Sequence, residues 1–321
     1  MHSLEAALNS GLKKGETGNN DEIDREINEI TRETVERNYG EVISARDEGY
    51  NNDVAADEKR GPMRESLNVH NGIVLDYAIA LIKARHLTAE QEVAAITATI
   101  LHDGGKLNSS LLEHHIAGKE RAGAILDKLA KTANGTIDGI NISAIREKVL
   151  EAIDRHMNHP FLVMLNKGKE FPQPQDEVDE VVFDADMLAN IGFKNVGLRL
   201  NSPKYLEEDA GKAKANGTSV IEESFKNVME GVEGMQSTVL SKEAEKICRD
   251  TINKATAIFE DMQSKGVFEK YTPKEETDKV IEDPSLVISK CSEIKTSLNQ
   301  EILKTAGEKG IDESLAKKFI M

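Results

Sequence analysis

An all-α fold is what this sequence predicts, and three observations predict it. Ala, Glu, Lys and Leu are plentiful while only seven prolines occur in 321 residues, a composition that favours helix. Apolar residues recur at three- and four-residue spacing along much of the chain, the period of a helix face. Capping signatures stand where those runs begin, most clearly at Thr88-Ala-Glu-Gln91, where a threonine and a glutamine three residues on can exchange hydrogen bonds with the free N–H groups of a first turn. Hydrophobic residues make up 39% and charged residues 31%, but aromatics only 4% with no Trp, so the core has to be built mainly from Leu, Ile, Val, Ala and Met. A chain of this length can bury such a core as one large domain or two small ones.

The formal net charge of −16 argues against general nucleic-acid binding, which needs a basic surface for the phosphate backbone. A small anion remains acceptable if metal ions and a few basic residues reverse the field locally. No apolar run reaches the roughly 20 residues needed to span a bilayer, and Met1-His2-Ser3-Leu4-Glu5 lacks the basic start and apolar middle of a secretory signal. Two cysteines, Cys248 and Cys291, make no disulfide framework. A cytoplasmic protein with free thiols is expected.

In chain order, Asp21 to Asn38 carries Ile23, Ile27 and Ile30 at helical spacing, and an amphipathic helix ending at Tyr39-Gly40 is expected. The polar stretch from there to Gly61-Pro62 shows little periodicity and reads as a loop or lid. From Met63 the pattern sharpens: His70, Val74, Tyr77 and Leu81 share one helix face, so His70 points where a core would be. The helix capped at Thr88 turns Val93, Ile96 and Ile100 inward, with His102 on the side of the small Ala95 and Ala98. Gly104-Gly105 is expected to stop it, by positive φ or close backbone approach.

The next helix is expected from near Leu111 past Leu129. Asn134-Gly135 and Asp138-Gly139 then read as a surface loop, and Ser143 as the N-cap of a helix running to His156. Gln175 to Asn190 is a further helix, with two acids, Asp184 and Asp186, inside a run that looks buried. Beyond Gly192 the chain stays helical: Pro203 opens one helix, Val220–Val232 and Ser241–Met262 make two amphipathic ones, and Thr272 and Asp283 are further N-caps. No repeat, low-complexity tract or Gly/Ser linker divides it.

Seven of the eight histidines fall between residues 70 and 159. Histidine with carboxylate is the ligand set of Zn, Mn, Fe, Co or Ni, and the imidazole has to be neutral and oriented to serve. One histidine on an apolar face is usually a core residue; several on separate helices, joined to the adjacent pair His102-Asp103 and a late aspartate, point to a metal centre.

The ordered pattern His70, His102-Asp103, Asp186 resembles the HD-domain superfamily of metal-dependent phosphohydrolases. The segment "AAITATILHDGGK" is similar to that family's helix and turn, and "VVFDADMLANIG" to its closing aspartate helix. By motif the resemblance covers roughly 63–195, and "SFKNVMEGVEG" with "LSKEAEKIC" carries it to about 265. It implies an HD-domain-like helical bundle over 61–270, with helical extensions at 1–60 and 271–321.

The resemblance also implies roles. His70, His102, Asp103 and Asp186 would hold one divalent ion, and His114 and His156 a second, with Asp103 as bridge; Mn, Fe, Co, Ni, Zn and Mg all stay open. The pattern Ala-Asp-x-Leu selects Asp186 and leaves Asp184 as a support of the ligands. Adjacent helical residues point about 100° apart, so His114 and His115 cannot both face the centre; the match selects His114. His86 and His2 are expected at the surface. Catalysis would be attack by a metal-bound hydroxide near Asp103 on a small phosphate ester, a nucleotide or a related mono- or diester, with Lys106 neutralising the phosphoryl oxygens. Lys119, Arg121, Arg155 and His159 are further phosphate contacts to test.

Two features depart from the family. Gly104 stands where many members have an apolar residue, and no Gly-Tyr-Pro segment follows the second histidine, which weighs against cyclic dinucleotides. The alternatives are a diiron oxygenase of the same fold and a non-enzymatic metal- or ligand-binding regulatory module. No membrane partner is expected, and a homo-oligomer is left open.

Overall fold

In the computed structural model, which describes residues 30–132 and 134–321, Thr31 is extended and exchanges side-chain to backbone hydrogen bonds with Thr34 in a capping box. Helix α1 (Arg32–Asn38) therefore starts afresh at Arg32 and is not the end of one helix running from Asp21. Residues 21–29 of that expectation lie outside the described residues. Among the described residues there are sixteen α-helices and one two-stranded antiparallel pair, the all-α class that the composition and the periodicity predict.

The stretch expected to be a loop is helix α2 (Gly40–Ala56). Its apolar spacing is irregular because only Val42, Tyr50 and Asp53 are buried, and polar contacts do much of the holding. Arg121 grips Asp53 with two bonds of 2.7 and 2.9 Å, and the Asn71 amide donates to the Tyr50 hydroxyl at 3.2 Å. Sequence periodicity cannot register contacts of that kind.

Five helices enclose the interior that matters for function: α3 (Gly61–Ala84), α4 (Ala89–Leu101), α5 (His114–Leu129), α6 (Ile142–Arg155) and, after the short α7 (Pro160–Leu165), α8 (Glu177–Ala189). Helix α4 is their centre. The expected capping box at Thr88 and Gln91 is present, and every residue from Val93 to Leu101 is buried. A helix apolar on all sides belongs in the middle of a bundle, where each fully buried Val, Ile or Leu contributes about 1.5–3 kcal/mol. The residues that follow it, His102 and Asp103, are therefore delivered into the interior.

Between α5 and α6, β1 (Thr136–Ile137) and β2 (Ile140–Asn141) form a hairpin in place of the expected loop. Asp138 and Gly139 take φ of 46° and 78°, as a two-residue turn of positive φ requires. Asn141, not Ser143, caps α6: its side chain accepts from the Ser143 N–H at 2.9 Å.

The remaining helices are α9 (Lys194–Leu200), α10 (Pro203–Asn216), α11 (Val220–Met235), α12 (Lys242–Ser264), α13 (Thr277–Glu282), α14 (Ser285–Ile288), α15 (Cys291–Glu308) and α16 (Glu313–Phe319). Their core is aromatic where the first bundle is aliphatic: Phe225 lies within 5.0 Å of Phe193 and 4.8 Å of Phe268, ring centre to ring centre. Phe319 joins through its ring and through its carbonyl, which accepts from the Phe193 N–H at 3.0 Å. Thr272 does not cap a helix of its own: its hydroxyl accepts from the Ile221 N–H in the first turn of α11, whose N-cap is Ser219. Asp283 accepts from the Ser285 N–H at the start of α14. Cys248 and Cys291 are buried and unbridged. No helix among the described residues is long and apolar enough to cross a membrane.

Candidate metal centre

Each helix of the first bundle brings one or two polar side chains to a common point. His102 ends α4 and His156 ends α6, both as C-caps, so the negative ends of two helix dipoles lie beside them, a field that favours a cation. His114 is the first residue of α5. Its approach depends on Gly105, where an added Cβ would sit 2.4 Å from the His114 carbonyl oxygen and 2.5 Å from the Gly118 nitrogen. Neither Gly104 nor Gly105 adopts the positive φ considered for the pair; the second expectation, close backbone approach, is what Gly105 provides.

Two groups of ligand-type atoms result: His70, His102 and Asp186, and Asp103, His114 and His156, each with its atoms within 4.8 Å of one another. Asp103 stands between them and is fully buried. Its Oδ2 lies 3.6 Å from His70 Nε2 and 3.5 Å from His102 Nε2. Its Oδ1 lies 3.4 Å from His114 Nε2 and 3.9 Å from His156 Nε2. Asp186 Oδ1 completes the first group, 2.9 Å from His70 Nε2 and 4.0 Å from His102 Nε2.

The ring orientations are fixed from behind. The Nδ1 atoms of His102, His114 and His156 sit 2.8, 2.7 and 2.6 Å from the carbonyl oxygens of Thr99, Leu111 and Ile153. A carbonyl accepts only, so each ring carries its proton on Nδ1 and turns the Nε2 lone pair inward. His114 Nε2 and His156 Nε2 are 3.2 Å apart, two lone pairs facing each other with no proton between them. His102 Nε2 and Asp103 Oδ1 are buried without a hydrogen-bond partner. Acceptors crowded on acceptors in a dry interior are unfavourable until positive charge is supplied, so these residues fit divalent ions.

Electrostatics agree with the geometry. Burial opposes charge on Asp103, but Lys106 and the surrounding imidazoles outweigh it and hold the carboxyl well below the usual carboxylate range. Asp186 is likewise held low against burial, chiefly by His70. Burial pushes His70 down to about 4 and His156 well below the ordinary imidazole value, so both are neutral, the state a ligand requires.

Lys106 reaches the centre, donating to Asp103 Oδ2 at 2.8 Å. Burial works against its charge, yet Asp103 and Asp186 raise its pKa. His159, N-cap residue of α7, is half-buried at the rim; burial lowers its pKa, and the charges of Asp186, Lys106 and Asp103 act on it. The other three basic residues hold helices together. Lys119 pairs with Asp154 at 2.9 Å, Arg155 with Asp179 at 2.8 Å, and Arg121 with Asp53.

Asp184 corrects the expectation of a ligand support. It accepts from the Leu240 and Ser241 N–H groups at 2.7 and 3.0 Å and from the Ser241 hydroxyl at 2.6 Å, at the start of α12. Two residues along a helix is a rotation of about 200°, so Asp184 and Asp186 point to opposite sides of α8. His115 turns away from the centre to meet the Phe171 ring edge-on at 5.4 Å. His86 is exposed, and His2 lies outside the described residues.

Sequence reasoning passed over Lys194, at the start of α9, whose Nζ is 3.3 Å from His70 Nδ1. Burial lowers its pKa to about 8. Its place eight residues after Asp186 gives no periodic signal, because a turn at Gly192 separates the two helices. No family model, curated protein or solved structure matches the chain.

Proposed function

We propose that this protein is a metal-dependent phosphohydrolase of the HD type, holding divalent ions at the buried His/Asp centre and hydrolysing a small phosphate ester. One observation carries the reading: the two oxygens of fully buried Asp103 face two separate sets of inward-turned imidazoles. A carboxylate so placed serves both sets at once, with His70, His102 and Asp186 on one side and His114 and His156 on the other. Divalent ions held there would supply an acidified water and positive charge for the phosphoryl oxygens.

The chain's own residues supply the rest. Backbone carbonyls at Thr99, Leu111 and Ile153 fix the ring tautomers. Lys106 keeps Asp103 ionised through one N–H and has two more donors for a phosphate oxygen. His159, whose pKa burial lowers, is a further candidate to hydrogen-bond a bound ester from the rim.

The test is metal analysis of purified protein, followed by turnover of phosphomonoesters, nucleotides and cyclic nucleotides with Mn, Co, Ni, Mg or Fe added. Stoichiometric metal and turnover are expected, both lost in Asp103→Ala. A wild-type protein without stoichiometric metal, or an Asp103→Ala protein with full activity, would overturn the proposal.

A further inference from the structure

Three of the four histidines at the centre give their Nδ1 proton to a backbone carbonyl, and His70 does not. Its Nδ1 faces the amine of Lys194 at 3.3 Å, while its Nε2 faces Asp186 at 2.9 Å. If Nε2 serves a cation, the ring proton sits on Nδ1, and an ammonium cannot donate to a nitrogen that already carries a proton. Lys194 then keeps three N–H donors beside the centre and no acceptor for them on His70.

The charge balance says what acceptor fits. Asp103 and Asp186 together carry −2, Lys106 and Lys194 together +2, and an imidazole that serves a cation through Nε2 is neutral. The protein groups cancel, −2 + 2 = 0, so each divalent ion adds its full +2. A monoanionic diester answers only half the charge of a single ion. A phosphomonoester dianion answers all of it. The lysines approach from different elements: Lys106 from the turn after α4, on Asp103, and Lys194 from α9, on His70.

We infer that Lys194 is a substrate-binding residue which, opposite Lys106, takes a terminal phosphoryl group and selects dianionic phosphomonoesters over phosphodiesters. This rests on the hydrolase reading for the reaction, but the anion subsite can be tested without turnover. Lys194 Nζ would donate to a non-bridging oxygen that a monoester leaves free and a diester has esterified. A charge-assisted contact of this kind changes affinity by about ten-fold or more.

The experiment is calorimetric titration of metal-loaded protein with inorganic phosphate and with dimethyl phosphate, for wild type, Lys194→Gln and Lys194→Arg, with metal content and melting temperature recorded for each. Wild type is expected to bind phosphate at least about ten-fold more tightly than dimethyl phosphate. Lys194→Gln should weaken phosphate about ten-fold, change dimethyl phosphate less than about three-fold, and keep its metal; Lys194→Arg should restore most of the phosphate affinity. Failure of wild type to bind phosphate, equal weakening of both ligands, or unchanged phosphate affinity in Lys194→Gln would overturn the inference. So would metal lost from Lys194→Gln, since Lys194 would then serve His70. Ester turnover separates the two readings. Phosphate binding through Lys194 with no ester hydrolysed would sink the hydrolase and leave the subsite; hydrolysis with phosphate affinity indifferent to Lys194 would do the reverse.

Discussion

Two polar clusters are buried in this protein, and they differ in what they lack. Asp209, fully buried on α10, receives Arg199 Nε at 2.9 Å together with Arg199 Nη2, Ser224 Oγ at 2.6 Å and Asn227 Nδ2 at 2.7 Å. Every donor there comes from the protein. At the His/Asp centre the burial is comparable, but lone pairs face lone pairs, and His102 Nε2 and Asp103 Oδ1 have no hydrogen-bond partner. Burial of a polar group costs free energy in either place. At Asp209 the fold meets that cost itself, which marks a structural device; at the centre it leaves the demand for something from outside, which marks a binding site.

The sharpest way to break that contrast is to remove the carboxylate from each cluster. Asp103→Ala should lose metal from both histidine sets and bring turnover to background while the fold persists, as mass spectrometry for metals and circular dichroism would show. Asp209→Ala should leave metal content alone and destabilise the fold by about 3–5 kcal/mol, the usual result of stranding a buried partner, here Arg199. Denaturant unfolding measures it, and an Asp209→Ala protein as stable as wild type would dissolve the distinction.

A smaller effect is expected at Gly105. Its added Cβ would lie 2.4 Å from the His114 carbonyl oxygen, so Gly105→Ala has to push α5 away, at about 1–3 kcal/mol. Because His114 rides on α5, weaker metal binding at the Asp103, His114 and His156 set should accompany the lost stability. Unchanged metal affinity with lowered stability would show that α5 moves without its histidine.

A graded effect should follow pH in metal-free protein. His70 titrates near 4 when folded against an ordinary 6.5, and His156 is lowered too. The folded state therefore binds fewer protons than the unfolded chain. The stability these histidines contribute is full above about 6.5 and lost as pH falls from there toward 4. Added metal should flatten that loss. The least effect belongs to Ser241→Ala, which removes the α12 cap and one of three donors to Asp184 and should cost about 1 kcal/mol without touching metal content.

How far the sequence could be read follows the range of the interactions. Helices α3 to α6 and α8 were legible because local devices specify them: a capping box at Thr88, an apolar stripe on α3, and the inward Val93, Ile96 and Ile100 of α4. The ligand-type residues were legible because each ends or interrupts such a pattern. Helix α2 was hidden, since its anchors Tyr50 and Asp53 find their partners at Asn71 and Arg121. Asp184 misled because composition cannot say which side of α8 it faces, and Lys194 left no trace at all.

The sequence by itself determined that the chain is all-α and that an unusually polar set of histidines and aspartates is carried on helices built for burial. Only the tertiary structure decided the stoichiometry of contact: which oxygen of Asp103 faces which imidazoles, that Lys194 rather than Lys119, Arg121 or Arg155 lies beside the centre, and that Asp184 belongs to α12. The reason is physical. Helix periodicity fixes where a side chain leaves its own axis, but what it meets depends on crossings between helices. Here one such crossing, α5 against the turn after α4, is set by the missing Cβ of Gly105.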